Sequence, residues 1–415
     1  MKHLFQHHAR TLIAAAVSAL LPLSASAATD VEALRQQVEA LQRQLQAIQT
    51  QLEAQQKETA AVKSEVKDVT KVHSEWKNAA SVVHLAGYGS VGYTDNENAR
   101  GRFDQVQFSP IFHYQYKDLM ILESELEFSN TADGETEVAL EYLTLDLVLN
   151  DYAILVAGKF LSPLGQFRQN FHPSWINELP SAPPGFGHDG AAPASDTGLQ
   201  VRGGFPLGDM RANYALYVAN GPELEAVTED GEVELEGIMA EGRTRDADGQ
   251  KVWGGRFGLL PSKDLELGLS LASGRIAVTR LDGTDTATQQ AARDYRVLGA
   301  DLNWHWGALN VRSEYIRSHV GADNSGGATA TGSATWSSWY AQAAYKLTPS
   351  KFEAVLRYTD FDSPHASEDQ KQWAVGLNYL FAPQVVAKIA YEFNDGQSGA
   401  PSDDDSLMVQ MAYGF

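Results

Sequence analysis

From residue 82 to residue 415 the sequence alternates apolar and polar side chains. In the segment FDQVQFSPIFHYQY, residues 103–116, Val106, Phe108 and Phe112 fall on one side, and Gln107 and His113 fall on the other. A period of two is typical of a β-strand, in which successive side chains point to opposite faces. Similar segments follow one another to the end of the chain and predict about 16 antiparallel strands of roughly 9 to 12 residues.

The connections between these strands alternate between short and long. Tight turns such as Lys117–Asp118 and Trp306–Gly307 alternate with long loops rich in Gly, Asp, Ser and Pro. This rhythm, with both ends on the short-turn side, predicts a closed, even-numbered transmembrane β-barrel of the bacterial outer-membrane kind. Because a closed ladder satisfies the backbone, the apolar face can contact lipid while the polar face encloses a lumen. A soluble β-sandwich would leave the rhythm unexplained.

Aromatic residues gather near the predicted strand ends, where an interfacial girdle is expected. They are Tyr114, Tyr116, Trp304, Trp306, Tyr379, Phe381, Tyr413 and Phe415.

Residues 1–27 have the pattern of a secretory signal peptide. Lys2 and Arg10 precede an apolar run, and Ala25-Ser26-Ala27 forms an A-x-A cleavage site. The exported chain has no cysteine, so it must be stable without disulfides. Cleavage removes two basic residues and no acid, which moves the net charge from −21 to −23. Such a charge excludes nucleic-acid binding through a general positive field.

Residues 28–80 differ from the rest of the chain and predict a coiled coil. They contain neither glycine nor proline, and their seam positions are spaced alternately by three and four residues, from Val31 to Trp76. A heptad seam of this length needs partner chains, so the protein is expected to be an oligomer. The seam residues leave the number of chains open.

The stretch GYGSVG, Gly87–Gly92, fits the dinucleotide-binding pattern G-x-G-x-x-G. That pattern has meaning only between a strand and a helix N-terminus. Here the residues that follow are YTDNENARGR and predict no helix. We therefore interpret these glycines as places where the first strand bends or where neighbouring backbones approach closely.

The C-terminal segment MVQMAYGF resembles the signature by which outer-membrane proteins are recognised by the barrel assembly machinery. A coiled coil followed by about 16 strands resembles the trimeric porins that carry such a rod, including the phosphate-selective porins and related dicarboxylate-type channels. The resemblance implies a homotrimer of water-filled pores in the outer membrane, with the rods in the periplasm. It implies contacts with outer-membrane lipid and lipopolysaccharide, and passage of small hydrophilic solutes.

The third long connection, residues 159–196, contains six prolines and several aromatic residues. This stiffness predicts a loop that folds inward and narrows the lumen, although a lid on the rim or on a neighbouring subunit remains an alternative. The titratable residues assigned to the constriction are Lys159, Arg168, His172, Glu178, Asp189 and Asp196. A phosphate channel would need a dense set of basic residues at its constriction, and this loop departs from that pattern.

The alternation assigns a set of charged residues to the lumen. They are Glu123, Glu125, Glu127, Asp146, Arg202, Arg211, Arg256, Arg312, Arg357 and Lys388. Acids come early in the barrel and bases late, so opposite walls are expected to differ in sign and to select among ions. The alternative is that each charge is simply solvated or paired with a neighbour.

The loop Gly221–Gln250 carries ten acids against Arg243 and Arg245. It is interpreted as a flexible outer loop that attracts cations to the mouth or binds divalent ions bridging lipopolysaccharide, or as a solvated face.

The sequence indicates no catalytic residue, cofactor or metal site. Ser318 and His319 are adjacent and so point to opposite faces of a strand. The leading hypothesis is a porin for passive diffusion, narrowed by residues 159–196. The alternative is a structural barrel whose coiled coil tethers peptidoglycan or a periplasmic partner, and a surface enzyme or adhesin is the third reading.

Overall fold

The computed structural model describes Gln46 and residues 81–415, except residues 132, 188–189, 230, 247, 287–290 and 326–327. The predicted signal peptide and, apart from Gln46, the predicted coiled coil lie outside the described residues. Within the described ranges, no helix is both long and apolar enough to cross a membrane.

Sixteen antiparallel strands form a closed barrel, which confirms the predicted fold class. The strands in chain order are β1 Ser81–Asn96, β2 Arg102–Tyr116, β3 Met120–Asn130, β4 Thr136–Asn150, β5 Ala153–Leu161, β6 Ser195–Leu207, β7 Met210–Ala219, β8 Glu223–Glu229, β9 Glu232–Met239, β10 Val252–Ser262, β11 Leu265–Ile276, β12 Val278–Leu281, β13 Thr284–Asp285, β14 Arg293–Trp306, β15 Leu309–Val320, β16 Ala334–Lys346, β17 Phe352–Asp362, β18 Gln370–Ala382, β19 Val385–Gly396 and β20 Ser406–Gly414. All but β8, β9, β12 and β13 belong to the barrel. The short and long connections alternate as the sequence predicts.

The two faces of the barrel strands differ in chemistry. On β11 the side chains of Leu267, Leu269 and Leu271 are exposed on the outer surface, whereas Ser270 between them is buried on the inner side. Because the strand pleat alternates, one apolar band covers the outside and polar groups line the inside.

The barrel closes where β1 meets β20. The terminal residue continues the ladder, since Phe415 and Gly87 exchange backbone hydrogen bonds of 2.9 and 3.0 Å. A Cβ atom on Gly87 would lie 2.6 Å from the Ser109 carbonyl oxygen and 2.7 Å from the Phe415 ring. The glycines of the GYGSVG stretch lie inside β1, where the closing strands leave little room for side chains.

A second, four-stranded sheet in the order β13-β12-β8-β9 is separate from the closed ring of barrel strands. The expectation of a flexible acidic loop at residues 221–250 was wrong, because β8 and β9 form a hairpin there and β12 pairs with β8. Both arginines of this loop bind one carboxylate, with Arg243 2.9 Å and Arg245 3.1 Å from Glu223. Burial opposes the charged form of Glu223, but hydrogen bonds from Arg245 and Thr279 and the charge of Arg243 lower its pKa.

We predict that Gly87→Ala weakens barrel closure, because the added methyl group must displace the β2 backbone or the terminal ring. Overpacking of this kind costs about 1–3 kcal/mol. The refolded barrel should unfold at a lower temperature in detergent, as followed by heat-dependent mobility in gel electrophoresis. Gly332→Ala is the control, since a Cβ atom there meets nothing within 4 Å. Equal unfolding temperatures for the two variants would contradict the prediction.

Candidate functional site

The lumen wall formed by β3, β4 and β6 carries a first cluster of charges. Arg202 lies 2.5 Å from the Asp146 carboxylate and 3.5 Å from the Glu123 carboxylate. The alternation places all three side chains on the inner face, and the order β3-β4-β5-β6 brings them together. Asp146 is buried, whereas about two fifths of the Arg202 side chain is exposed. One arginine here meets two acids, which leaves the cluster negative.

A second cluster has the same composition on β10, β11 and β14. Arg256 contacts Asp301 through two hydrogen bonds of 2.6 and 2.8 Å, and it lies 3.0 Å from Glu266. The side-chain oxygen of Asn213 accepts a further hydrogen bond of 3.0 Å from Arg256. Charge-assisted contacts of this kind hold the guanidinium firmly against the wall.

A third group surrounds Arg168 in the loop after β5. Arg168, Glu127, Glu141 and His172 line one cavity of about 340 Å³ between the loop and the wall. Burial lowers the pKa of Arg168, and the charges of Glu141, Glu241 and Glu127 act against that shift. This group therefore also contains more acids than bases.

Glu125 and His172 lie beside this cavity. The Tyr88 hydroxyl donates a hydrogen bond of 2.7 Å to Glu125, and the His172 ring nitrogen is 4.0 Å from the same carboxylate. The two aromatic rings meet edge to face.

The loop between β5 and β6 binds the inner wall through its backbone. The amide groups of Gln166 and Phe167 donate hydrogen bonds of 3.1 and 3.0 Å to the Glu314 carboxylate on β15. Ser318 on the same strand donates a hydrogen bond of 2.6 Å to the Ala191 carbonyl. Loop carbonyl and amide groups that water would otherwise solvate thus find partners on the barrel wall.

Three predicted pore residues from β15, β17 and β19 contact this loop. Arg357 donates hydrogen bonds of 3.0 and 2.8 Å to the carbonyl and hydroxyl of Ser181. The Lys388 ammonium donates to the carbonyl of Ser174 at 2.5 Å. Arg312 lies 3.1 Å from Glu178 of the loop. All three cations are buried.

Glu178 is the main acidic contact of the loop with this wall. Its carboxylate accepts hydrogen bonds from Asn310 at 3.0 Å and from Gln342 at 2.7 Å, in addition to the Arg312 ion pair. Burial raises the pKa of Glu178, whereas the Arg312 guanidinium acts in the opposite direction. On β17 and β19, Arg357 is likewise matched by one acid, Glu392, at 3.6 Å.

Aromatic contacts reinforce the position of the loop. Phe186 meets the Tyr340 ring edge to face at 5.1 Å, and Phe167 approaches the same ring at 6.4 Å. The Arg312 guanidinium lies 4.2 Å from the centre of the Phe171 ring. Arg312 therefore holds the loop by a cation–π contact as well as by an ion pair.

The expected limits of the loop, residues 159–196, need correction, because β5 runs to Leu161 and β6 starts at Ser195. The alternation of the two flanking strands continues into both ends of the predicted loop. Lys159 is thus a strand residue, and its ammonium donates a hydrogen bond of 2.7 Å to the Leu140 carbonyl. Asp196 is buried in β6. Asp189 lies outside the described residues, and Arg211 is exposed next to the short β6–β7 turn.

Three side chains of the β8–β9 hairpin and the β17–β18 loop place their ligand atoms at distances that suit a cation. Ligand atoms of Glu229, Glu234 and His365 all lie within 4.8 Å of one another. The other ring nitrogen of His365 lies 2.8 Å from the Leu235 carbonyl oxygen. In the sequence these residues belong to two distant loops, so no local spacing could reveal the group. Ser318 and His319 point to opposite faces, since Ser318 contacts the loop and His319 contacts Thr335.

Comparison with known proteins gives a partial family match and a set of structures with the same fold. Residues 273–415 match the family described as phosphate-selective porin O and P. No curated protein sequence matches the chain.

Among solved structures, the anion-selective porin of Comamonas acidovorans is 15% identical to this chain, with a TM-score of 0.55. The alignment covers 81% of this chain and 100% of that porin. The OmpF–daunomycin complex of Salmonella typhi is 12% identical with a TM-score of 0.52, covering 82% of this chain and 99% of that chain. The loop L8 deletion mutant of Vibrio cholerae OmpT is 13% identical with a TM-score of 0.52, and the alignment covers 81% of this chain and 100% of that chain. These likenesses show the fold alone, and the family match is limited to residues 273–415.

We predict that Arg357→Met loosens the loop from the wall. The change removes the hydrogen bonds to Ser181 and leaves the buried Glu392 carboxylate without its cation, which costs about 3–5 kcal/mol in comparable buried pairs. Thermal unfolding in detergent should shift downward, and a protease should cut within residues 162–194 faster than in the parent. Arg211→Met is the matched control, because Arg211 is exposed. A variant that unfolds and resists protease like this control would refute the role assigned to Arg357.

Proposed function

We propose that this chain, a barrel with the features of a phosphate-selective-type porin, allows small hydrophilic solutes to diffuse passively across the outer membrane. The family match and the fold support a channel in that membrane. A barrel of sixteen strands leaves an aqueous channel unless something fills it. We propose that residues 162–194 narrow this channel.

The observation that carries this proposal is the reach of the loop across the barrel. In the ring of sixteen strands, β17 lies eight steps from β5 along β6, β7, β10, β11, β14, β15 and β16. It is therefore diametrically opposite the strand from which the loop starts. Arg357 of β17 contacts Ser181 of the loop, so the segment extends from one wall to the other.

Three cavities lie beside the loop on the side of Arg168, Arg202 and Arg256. One cavity of about 220 Å³ is lined by Glu123, Arg202 and the loop residue Gln169. Another of about 410 Å³ is lined by Arg202, Arg256 and Gln166, among others. With the cavity around Arg168, these spaces follow the wall from β20 and β1 to β11. We propose this side as the route of the solutes.

The charges on the two sides of the loop differ. On the open side Arg202 and Arg256 each contact two acids, as with Arg202 between Asp146 and Glu123. On the far side Arg312 and Arg357 each contact one acid, and Lys388 is held by carbonyl groups and feels the charges of Glu178 and Glu353. A narrow passage with excess negative charge lowers the energy of cations and raises that of anions. We therefore propose that the channel prefers cations.

The number of subunits is part of this proposal. The heptad pattern of residues 28–80 favours an oligomer, and we propose a homotrimer with the rods in the periplasm. The same heptads favour a second candidate function, a structural barrel that tethers peptidoglycan or a periplasmic partner with little transport. Absence of conductance in planar bilayers would favour that second function.

We predict that replacing residues 165–190 by a short Gly-Ser linker raises single-channel conductance by about twofold or more, because the lumen then regains its open cross-section. Planar-bilayer recording measures this, and three equal steps per insertion are expected of a trimer. Trimming residues 398–402 in the β19–β20 loop is the control and should leave conductance unchanged. Conductance that is the same with and without residues 165–190 would refute the constriction.

We also predict a reversal potential in a KCl gradient with the sign of a K⁺-preferring channel. The triple variant Glu123→Gln, Glu127→Gln, Glu266→Gln should lower the K⁺/Cl⁻ permeability ratio by about twofold or more, since it removes charge beside the passage. Changing Glu229, Glu232 and Glu234 of the outer hairpin to Gln removes the same charge outside the lumen. That control should have a smaller effect at high salt because of screening. A Cl⁻-preferring parent would reject the proposed preference.

A further inference from the structure

The outer face of the barrel carries an apolar groove across β7, β10, β11 and β14. Its volume is about 1070 Å³. Its apolar lining includes Leu216, Trp253, Phe257, Leu269, Leu271 and Leu298. These side chains belong to the lipid-facing set and are exposed.

A glycine forms part of the groove floor. Gly255 pairs with Leu216 on one side and with Leu271 on the other, so the row of outward side chains has a gap at this position. A Cβ atom on Gly255 would lie 2.2 Å from the Ala215 carbonyl oxygen. The groove thus follows from close backbone packing at this glycine.

Two arginines stand at the edge of this groove. Arg296 and Arg317 line it together with His319. In the β14–β15 ladder Arg296 is opposite His319, and Leu298 is opposite Arg317, so the two arginines are diagonal neighbours on one face. Across a ladder such positions are about 7–8 Å apart, which long side chains bridge easily.

The side chain of neither arginine has a hydrogen bond or an ion pair with any residue in the part of the chain that the structure describes. The nearby acid Asp294 lies instead 4.0 Å from Arg275. Arg296 is the fourth residue of β14, which follows a long loop, so it lies near the outer boundary of the apolar band. A cation at that depth is stable when an anion or water reaches it.

We propose that this groove is a binding site for a phosphorylated, multiply acylated glycolipid of the outer leaflet. Its phosphate would lie between the Arg296 and Arg317 guanidinium groups, whose planar donors suit phosphate oxygens. Its acyl chains would lie on the apolar floor. A groove that crosses four strands is about 15 Å wide, which accommodates several chains side by side. The inference rests on the outer-membrane location in the proposed function, and it is independent of transport.

The test measures glycolipid that remains with the protein. The chain is purified from outer membranes in mild detergent, and bound glycolipid per protein is counted by native mass spectrometry and phosphate assay. The double variant Arg296→Gln, Arg317→Gln should retain about tenfold less, since two charge-assisted contacts are lost. Lys371→Gln is the control: Lys371 is exposed near the same end of the barrel, opposite Asp360 and outside the groove. This control should retain the parental amount.

A second variant keeps the test decisive if the double variant folds poorly. Leu298→Trp leaves both arginines in place and fills the groove, and it too should reduce bound glycolipid. Undiminished glycolipid in both variants would overturn the proposal. A loss confined to glycerophospholipid would also overturn the proposal. A change of oligomeric state with unchanged lipid would overturn it too, because it would assign the groove to another copy of the chain. A parent that binds glycolipid through these arginines but conducts no ions would reject the transport function alone.

Discussion

Closure of the backbone hydrogen-bond ladder is the constraint on which the rest of this structure depends. Within hydrocarbon an unpaired amide or carbonyl group costs several kcal/mol, so the edge strands β1 and β20 must pair with each other. The last residue takes part, because Phe415 and Gly87 bond to each other through the backbone. Once the ring is closed, the strand pleat fixes which side chains meet lipid and which enclose the lumen.

Burial of charge inside the ring then determines how the loop after β5 is held. Arg357 and Lys388 face an interior where a lone cation is unfavourable. Each acquires partners from the loop, through the carbonyl groups of Ser181 and Ser174. The loop in turn has polar backbone groups that need partners away from bulk water, and Glu314 accepts from two of them. The wall and the loop thus satisfy each other.

The fold could be predicted from the sequence because alternation and turn spacing are local features. The pairing of charges could not, because it depends on residues that the strand order brings together over long distances. Arg202 and Asp146 are 56 residues apart, and Arg357 and Ser181 are 176 residues apart. The alternation along β17 predicted that Arg357 points inward. Alternation alone does not say whether an inward side chain contacts water or a loop. The acidic hairpin of β8 and β9 was missed because its many acids indicated a solvated loop, although Leu224, Ala226, Val233 and Leu235 alternate with them.

The charge asymmetry bears on how far the family match extends to selectivity. The match covers residues 273–415 and therefore contains Arg312, Arg357 and Lys388, which hold the loop. The clusters around Arg202 and Arg168 lie before residue 273. The matched residues thus include the wall that contacts the loop, whereas most of the acids beside the open space lie outside the match. The partial family match is compatible with the proposed cation preference, because most of the acids on which that preference rests lie before residue 273.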